Sequence, residues 1–226
     1  MFDSVTRFAM AQREIALSNG EPPAREGFPP SVFDMIPKLL ERTGTNEKGS
    51  ITAFYTVLVE GDDMNGPIAD TVRGVVDGHI VLSRALAQAY HYPAVDVLAS
   101  ISRLARRVTG KATREACGKI RRLMATYQQN ELMITTGAYA QGASPAIDEA
   151  IEKHDAIEEF LKQEESDRCT MRDTLEKLSA LSETEIPEEE FDDCSAAEIP
   201  SAAEAASLAD GAKENPSSET SLNEEI

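Results

Sequence analysis

Apolar residues recur at helical spacing near the start of the chain and through much of its second half, with a β-type run between. Phe8, Ala11 and Ile15 stand at i, i+3 and i+7, which predicts a helix over residues 4–18, opening at Asp3-Ser4 and stopping at Asn19-Gly20. Pro22, Pro23, Pro29 and Pro30, with Gly27, sustain neither a helix nor a central strand, so residues 21–30 should form a loop, followed by a short helix from Ser31. Gly49 to Val59 holds Ile51, Thr52, Phe54, Tyr55, Thr56, Val57 and Val59, a nearly continuous β-favouring run of the kind buried on both faces of a parallel sheet. Beyond the acidic turn Gly61-Asp62-Asp63, the pattern predicts a helix from Ile68 to about Val76, a strand over His79–Leu82 and a short helix through Leu86. Alternation of strand and helix is the signature of an α/β fold.

From about Thr113 the period changes. Ile120, Leu123, Met124, Tyr127 and Ile134 predict a long amphipathic helix that Gly142 closes off, and Ser144-Pro145 restarts a helix as cap and first helical residue. Ile157, Phe160 and Leu161 supply the apolar stripe of that second helix, giving a small helical bundle on the α/β body. Thr170 and Asp173 form a capping box ahead of Met171, Leu175 and Leu178, which predicts a further short helix near 171–181. Residues 183–226 are rich in Ala, Ser, Glu and Pro and are too polar to offset their ordering entropy, so they are expected to be disordered. The chain thus divides into an α/β unit over 1–110, a helical domain over 111–164 and an acidic tail over 165–226.

Composition sharpens this picture. With 226 residues, 41% of them apolar, the chain can build a core. It holds no long uncharged apolar run and no leader-like N-terminus, so a soluble, intracellular protein is expected. Cys117, Cys169 and Cys194 form no CxxC pair and are odd in number, which points to reduced thiols and to neither a disulfide framework nor a zinc site. The net charge of −18 is concentrated: residues 164–226 carry 19 acidic and 4 basic side chains, and the rest of the chain is nearly neutral. That leaves no basic stripe for nucleic acid, and the tail would be repelled by phosphate backbones and anionic lipid.

No GxxxxGK[ST], HExxH, GxSxG or GxGxxG occurs. Several long stretches nonetheless carry an identification: DSVTRFA at 3–9, GEPP at 20–23, PPSVF at 29–33, LLER at 39–42, GSITAFYTVLVEGDDMN at 49–65, DGHIVLSR at 77–84 and HYPAVDVLASISR at 91–103. Over most of residues 1–163 they resemble the flagellum-specific ATPase of the type III export apparatus, a relative of the rotary ATPase α and β subunits. The injectisome ATPases share much of this, and GDDMN with PIADTVRGVVDGHIVLSR favours the flagellar branch.

The resemblance implies a partial RecA-like nucleotide-binding domain, working with ATP and Mg²⁺ in a homohexameric ring whose sites lie at subunit boundaries. Asp3 matches the acidic end of the second nucleotide motif, which holds Mg²⁺ through water; by residue type alone it reads equally as the cap of the following helix. Tyr92 matches the tyrosine that lies against adenine, where a lone Tyr-Pro would otherwise be simple packing. Arg103 matches the arginine finger that reaches a neighbour's site, such fingers being worth roughly 10³–10⁵ in turnover; the plain alternative is a surface ion pair. Arg7 matches an arginine near the phosphates, or makes a helix-surface salt bridge.

The turn Glu60–Pro67 corresponds to one facing the central pore and stalk, unless it is simply a solvated acidic turn. The helical region 112–163 corresponds to the domain that meets substrates, chaperones and the stalk. Such an ATPase works in the cytoplasm at the flagellar base, peripheral to the membrane export gate, and binds regulator proteins as well. The family's phosphate loop and catalytic glutamate have no counterpart here, so this chain by itself is expected to be inactive, with bare apolar faces that promote aggregation. An alternative is a catalytically inactive fragment acting only as an interaction module. The tail is either a solubilising extension or a docking segment centred on the 171–181 helix.

Overall fold

The computed structural model describes residues 1–59, 61 and 63–192. The expectations for Glu60, Asp62 and the tail from 193 onward lie outside the described residues.

Helix α1 (Val5–Ser18) begins where the Ser4 hydroxyl accepts from the Arg7 amide at 3.3 Å. Its buried Val5 and Ala9 meet Val32, Ile36 and Leu40 of α2 (Pro30–Leu40), which repeat at i, i+4 and i+8. Pro30 occupies the first turn of α2, where a missing amide hydrogen is harmless. Strands β1 (Gly44–Asn46) and β2 (Gly49–Ile51) make an exposed antiparallel hairpin, its turn held by the Asn46 side chain accepting from the Lys48 and Gly49 amides. Helix α3 (Pro67–Val75) closes the first core with Ile68 and Val72.

The run at 49–59 differs from its expectation. Only Gly49–Ile51 pairs as a strand; residues 54–56 lie beside Phe2 in a parallel bridge, with Phe2 N donating to Phe54 O at 2.8 Å and Thr56 N to Phe2 O at 3.0 Å. Next to the bridge the Thr6 hydroxyl stands in for a strand partner, donating to Leu58 O at 3.1 Å and accepting from Leu58 N at 2.9 Å. Tyr55 and Val57 pack on the core, but Phe54 and Leu58 are 66% and 54% exposed. Burial on both faces requires flanking strands on both edges, and within the described residues this run has only the short β1 beside residues 49–51 and the single bridge to Phe2 beside residues 54–56.

Strand β3 (Gly78–Leu82) pairs antiparallel with β4 (Val95–Ser102), and helix α4 (Arg84–Gln88) lies in the connection, capped by Ser83. Both sheets among the described residues are thus antiparallel pairs, not the parallel sheet anticipated. Gly78 lies so close to β4 that a β-carbon there would sit 2.8 Å from Ile101 O.

A one-turn helix, α5 (Ala105–Val108), leads into α6 (Lys111–Thr135), α7 (Pro145–Leu161), α8 (Met171–Ser182) and α9 (Glu188–Asp192). Thr170 and Asp173 make the expected capping box of α8. Ser144 stands at the N-cap of α7 without a side-chain cap bond; the Tyr139 hydroxyl and the Asp148 carboxylate organise that turn instead. The second core joins Ala116, Ile120 and Leu123 of α6, Ala150 and Ile157 of α7, Leu175 and Leu178 of α8, and then Ile186 and Phe191.

Those last two residues correct the expected end of order. Residues 183–192 pack onto the helical domain: Phe191 is 6% exposed, and Arg172 lies over its ring at 5.1 Å. The Glu190 carboxylate accepts from the Ala112 and Thr113 amides and the Thr113 hydroxyl at 3.0, 2.9 and 2.6 Å. Those bonds cap the N-terminus of α6, whose own cap, Gly110, has no side chain to do so. Composition alone hid this, because two buried side chains and one cap suffice to order a polar segment. No helix among the described residues is long and apolar enough to cross a membrane.

Candidate functional site

Asp3 sits where the chain leaves the Phe2–Tyr55 bridge and turns into α1. Its Oδ1 accepts from the Thr56 hydroxyl, and the carboxylate is otherwise exposed. Ser4, not Asp3, supplies the helix cap. Among the described residues no group of three or more His, Cys, Asp or Glu side chains could hold a metal ion. A lone exposed carboxylate fits Mg²⁺ nonetheless, because that ion keeps most of its waters and is commonly held by one or two carboxylates with substrate phosphates. Arg7 lies exposed on the first turn of α1 and makes no ion pair with a described residue.

Tyr92 follows α4 on a short loop whose side chains alternate: Tyr90 and Tyr92 are exposed, and His91 between them is 4% exposed. The two tyrosine rings meet edge to face with centroids 5.6 Å apart. Tyr92 lines a shallow cleft with Tyr90, Pro93, Lys162 and Gln163, and its carbonyl accepts from the Gln163 amide at 2.9 Å. A flat, half-exposed ring on an anchored backbone is suited to lie against a heteroaromatic base.

Arg103 is the first residue past β4. Its amide donates to Asp77 O at 2.8 Å, and its guanidinium reaches the last turn of α3, donating to Arg73 O at 2.9 Å and Gly74 O at 3.5 Å. Carbonyls at a helix C-terminus lack intrahelical partners and favour a cation. The side chain is exposed and pairs with no described carboxylate, so the surface ion pair weighed above is not how it is held.

Asp3 and Arg7 therefore share the start of α1, Tyr92 and Arg103 bracket β4, and no described hydrogen bond joins the two pairs. Sequence reasoning missed the Thr56 partner of Asp3 and the contact between His91 Nδ1 and Glu158 Oε2 at 3.0 Å, which spans 67 residues. No local pattern signals a pair so far apart in the chain. The Glu190 carboxyl is held below its usual value by hydrogen bonding from the Thr113 hydroxyl and amide.

Residues 1–102 match the ATP synthase alpha/beta family nucleotide-binding domain, and residues 109–180 match the T3SS EscN ATPase C-terminal domain. The chain is 55% identical over 185 residues to a flagellum-specific ATP synthase of Bacillus subtilis, covering 82% of this chain and 42% of that protein. Among solved structures it resembles the assembled ATPase EscN of the enteropathogenic E. coli type III secretion system, with a TM-score of 0.77, 46% identity and 79% of this chain covered against 43% of that one. It also resembles EscN in complex with its central stalk EscO, with a TM-score of 0.72, 45% identity and 79% and 42% of the two chains covered. The chain spans about two fifths of the length of the curated relatives it matches.

Proposed function

Because the chain belongs to the ATP synthase alpha/beta family, in its type III export branch, we propose that it is the C-terminal part of a homohexameric ATPase coupling ATP hydrolysis to flagellar protein export. The observation that carries this reading is the match in one order to both a nucleotide-binding domain and an export-ATPase C-terminal domain.

On this reading the chain's residues divide the work. Asp3 is the residue that would hold Mg²⁺, which would neutralise phosphate charge when bound. Thr56 fixes the Asp3 carboxylate by donating to one of its oxygens. Tyr92 supports the adenine, and Arg7 stands near the phosphates. Arg103 extends from the end of β4 toward a neighbouring subunit and stabilises charge developing on the transferred phosphoryl group. Its hold on carbonyls, not on a carboxylate, suits that task, since a neutral partner is more readily exchanged for phosphate than an anionic one. The helical domain meets the stalk, regulators, substrates and chaperones, and the assembly works at the cytoplasmic side of the membrane export gate.

One observation favours another reading: the likeness to EscN favours an injectisome ATPase, which would differ in cargo and not in mechanism. The further alternative is a non-catalytic interaction module. ATP binding separates the module from the enzyme: the enzyme reading requires the chain to bind ATP when supplied with a phosphate-loop half, and the module reading forbids it. In that assembly Arg103→Ala should lower turnover by about 10³-fold or more while ATP binding persists; unchanged turnover refutes the assignment of Arg103.

A further inference from the structure

Between the matched pairs His79–Ile101 and Val81–Asp96, Ile80 alone stands opposite four residues of β4, Val97 to Ser100. Such an excess is a bulge, a feature that bends a strand and re-aims the residues beyond it. The bulge is not loose. Ser100 Oγ donates to Asp96 O at 2.6 Å and accepts from Val81 N at 2.9 Å, and Asp96 Oδ1 accepts from Ala99 N at 2.8 Å.

The bulge carbonyls that fall outside the ladder point to the helical domain. Arg121, on α6, donates to Val97 O at 2.6 Å, Leu98 O at 3.1 Å and Ser100 O at 3.4 Å. Arg103 begins three residues further on. At the other end of the same segment, Glu158 of α7 holds buried His91, and the Gln163 amide just beyond α7 holds the Tyr92 carbonyl. Between these two attachments the domains are separated by a cleft of about 500 Å³ lined by Leu86, His91, Val97, Met124, Tyr127 and His154. Apolar packing across the boundary is interrupted there, so polar attachments at the two ends carry much of the mechanical connection.

We infer that Arg121 and Glu158 are positioning residues: through them the helical domain sets the two ends of segment 91–103, Glu158 fixing the Tyr92 loop and Arg121 fixing the bulge that aims Arg103. This rests on the reading of Tyr92 and Arg103 as nucleotide-facing. It also gives the helical domain a route to the site, because a partner that shifts α6 against α7 moves the two ends of the segment relative to one another.

The first test needs only the chain itself. Amide exchange of Arg121→Ala should rise about tenfold or more across residues 96–103, and that of Glu158→Ala across 89–95 and at Gln163, with α1, α2 and the α6–α8 core unchanged. Glu158→Gln keeps an acceptor for His91 and should restore most protection; Arg121→Lys, a point donor in place of a fork, should restore only part. These milder variants also decide the matter if an alanine variant unfolds. Exchange over 89–103 that stays at the parent level in them and in any folded alanine variant overturns the inference.

The second test uses the chain assembled with a phosphate-loop half. Glu158→Ala should raise KM for ATP with kcat little changed and leave tripolyphosphate binding unaltered, whereas Arg121→Ala should lower kcat with KM little changed. An equal loss in both constants for both variants means a merely structural role and overturns the inference. Tyr92→Ala and Arg103→Ala serve as the reference. If they are without effect, the nucleotide reading fails while the exchange result still reports whether the segment is held.

Discussion

The two halves of this chain each hold a closed core of similar residues and differ in the apolar surface left around it. The helical domain closes on itself: Ile120, Leu123, Ile157, Leu175, Leu178, Ile186 and Phe191 are all at or below 6% exposure. The α/β body also has a sealed core among α1, α2 and α3, yet Phe54, Leu58, Ile80, Leu82 and Ile101 are each more than half exposed. The difference follows from geometry. An amphipathic helix buries one stripe and solvates the rest, so three or four helices can satisfy one another. A strand presents two faces and two edges, and it needs neighbours in every direction to bury an apolar run. Exposed apolar strand surface marks where a body of this kind accepts further structure or another molecule.

That contrast can be broken at several points, the largest effects lying in the closed core. Ile157→Ala should remove about 2–5 kcal/mol of unfolding free energy, measured by denaturant titration, because the cavity lies where α6, α7 and α8 meet. A value below about 1 kcal/mol would show that this core is not the cooperative unit described. Phe191→Ala should cost about 3 kcal/mol and release residues 183–192, seen as faster amide exchange there. Parent-like stability would place the segment outside the folded unit.

Glu190→Gln should be milder, about 1 kcal/mol, through weaker capping of α6. Its pH dependence has a definite sign. The Thr113 and Ala112 donors hold the Glu190 carboxyl below its ordinary value, so the contribution is complete above the ordinary glutamate value and is lost as pH falls through the lower folded value. The variant should lose that part of the acid limb of the stability–pH curve; an unchanged limb would assign it to other carboxylates. At the small end, Leu82→Ser should change stability by less than about 0.5 kcal/mol while reducing self-association in sedimentation. A large loss of stability would mean that the open face is in fact packed.

Much was legible in the chain. The i, i+3, i+4 spacing placed α1, α3, α7 and α8 and the start of α6 within a few residues, although α6 ends at Thr135 and not near Gly142, and the Thr170–Asp173 box placed the start of α8. The stretches from DSVTRFA to HYPAVDVLASISR sufficed to name the family and to nominate Asp3, Arg7, Tyr92 and Arg103. Less legible were the partners of those side chains. Thr56 on Asp3, the α3 carbonyls under Arg103 and Glu158 on His91 each join residues tens of positions apart. The fate of the tail root was equally hidden, since its composition is polar and its order depends on Ile186 and Phe191 joining the core of α6, α7 and α8.

The sequence by itself determined the helices, the order of the two domains and the residue types offered for chemistry, because periodicity and short-range capping are properties of neighbours in the chain. Tertiary structure alone decided which apolar faces are covered, where the β4 bulge points Arg103, and that Glu190 caps a helix beginning 79 residues before it. Those outcomes depend on which distant backbone groups are left without partners once the helices have packed, and no local window of sequence contains that information.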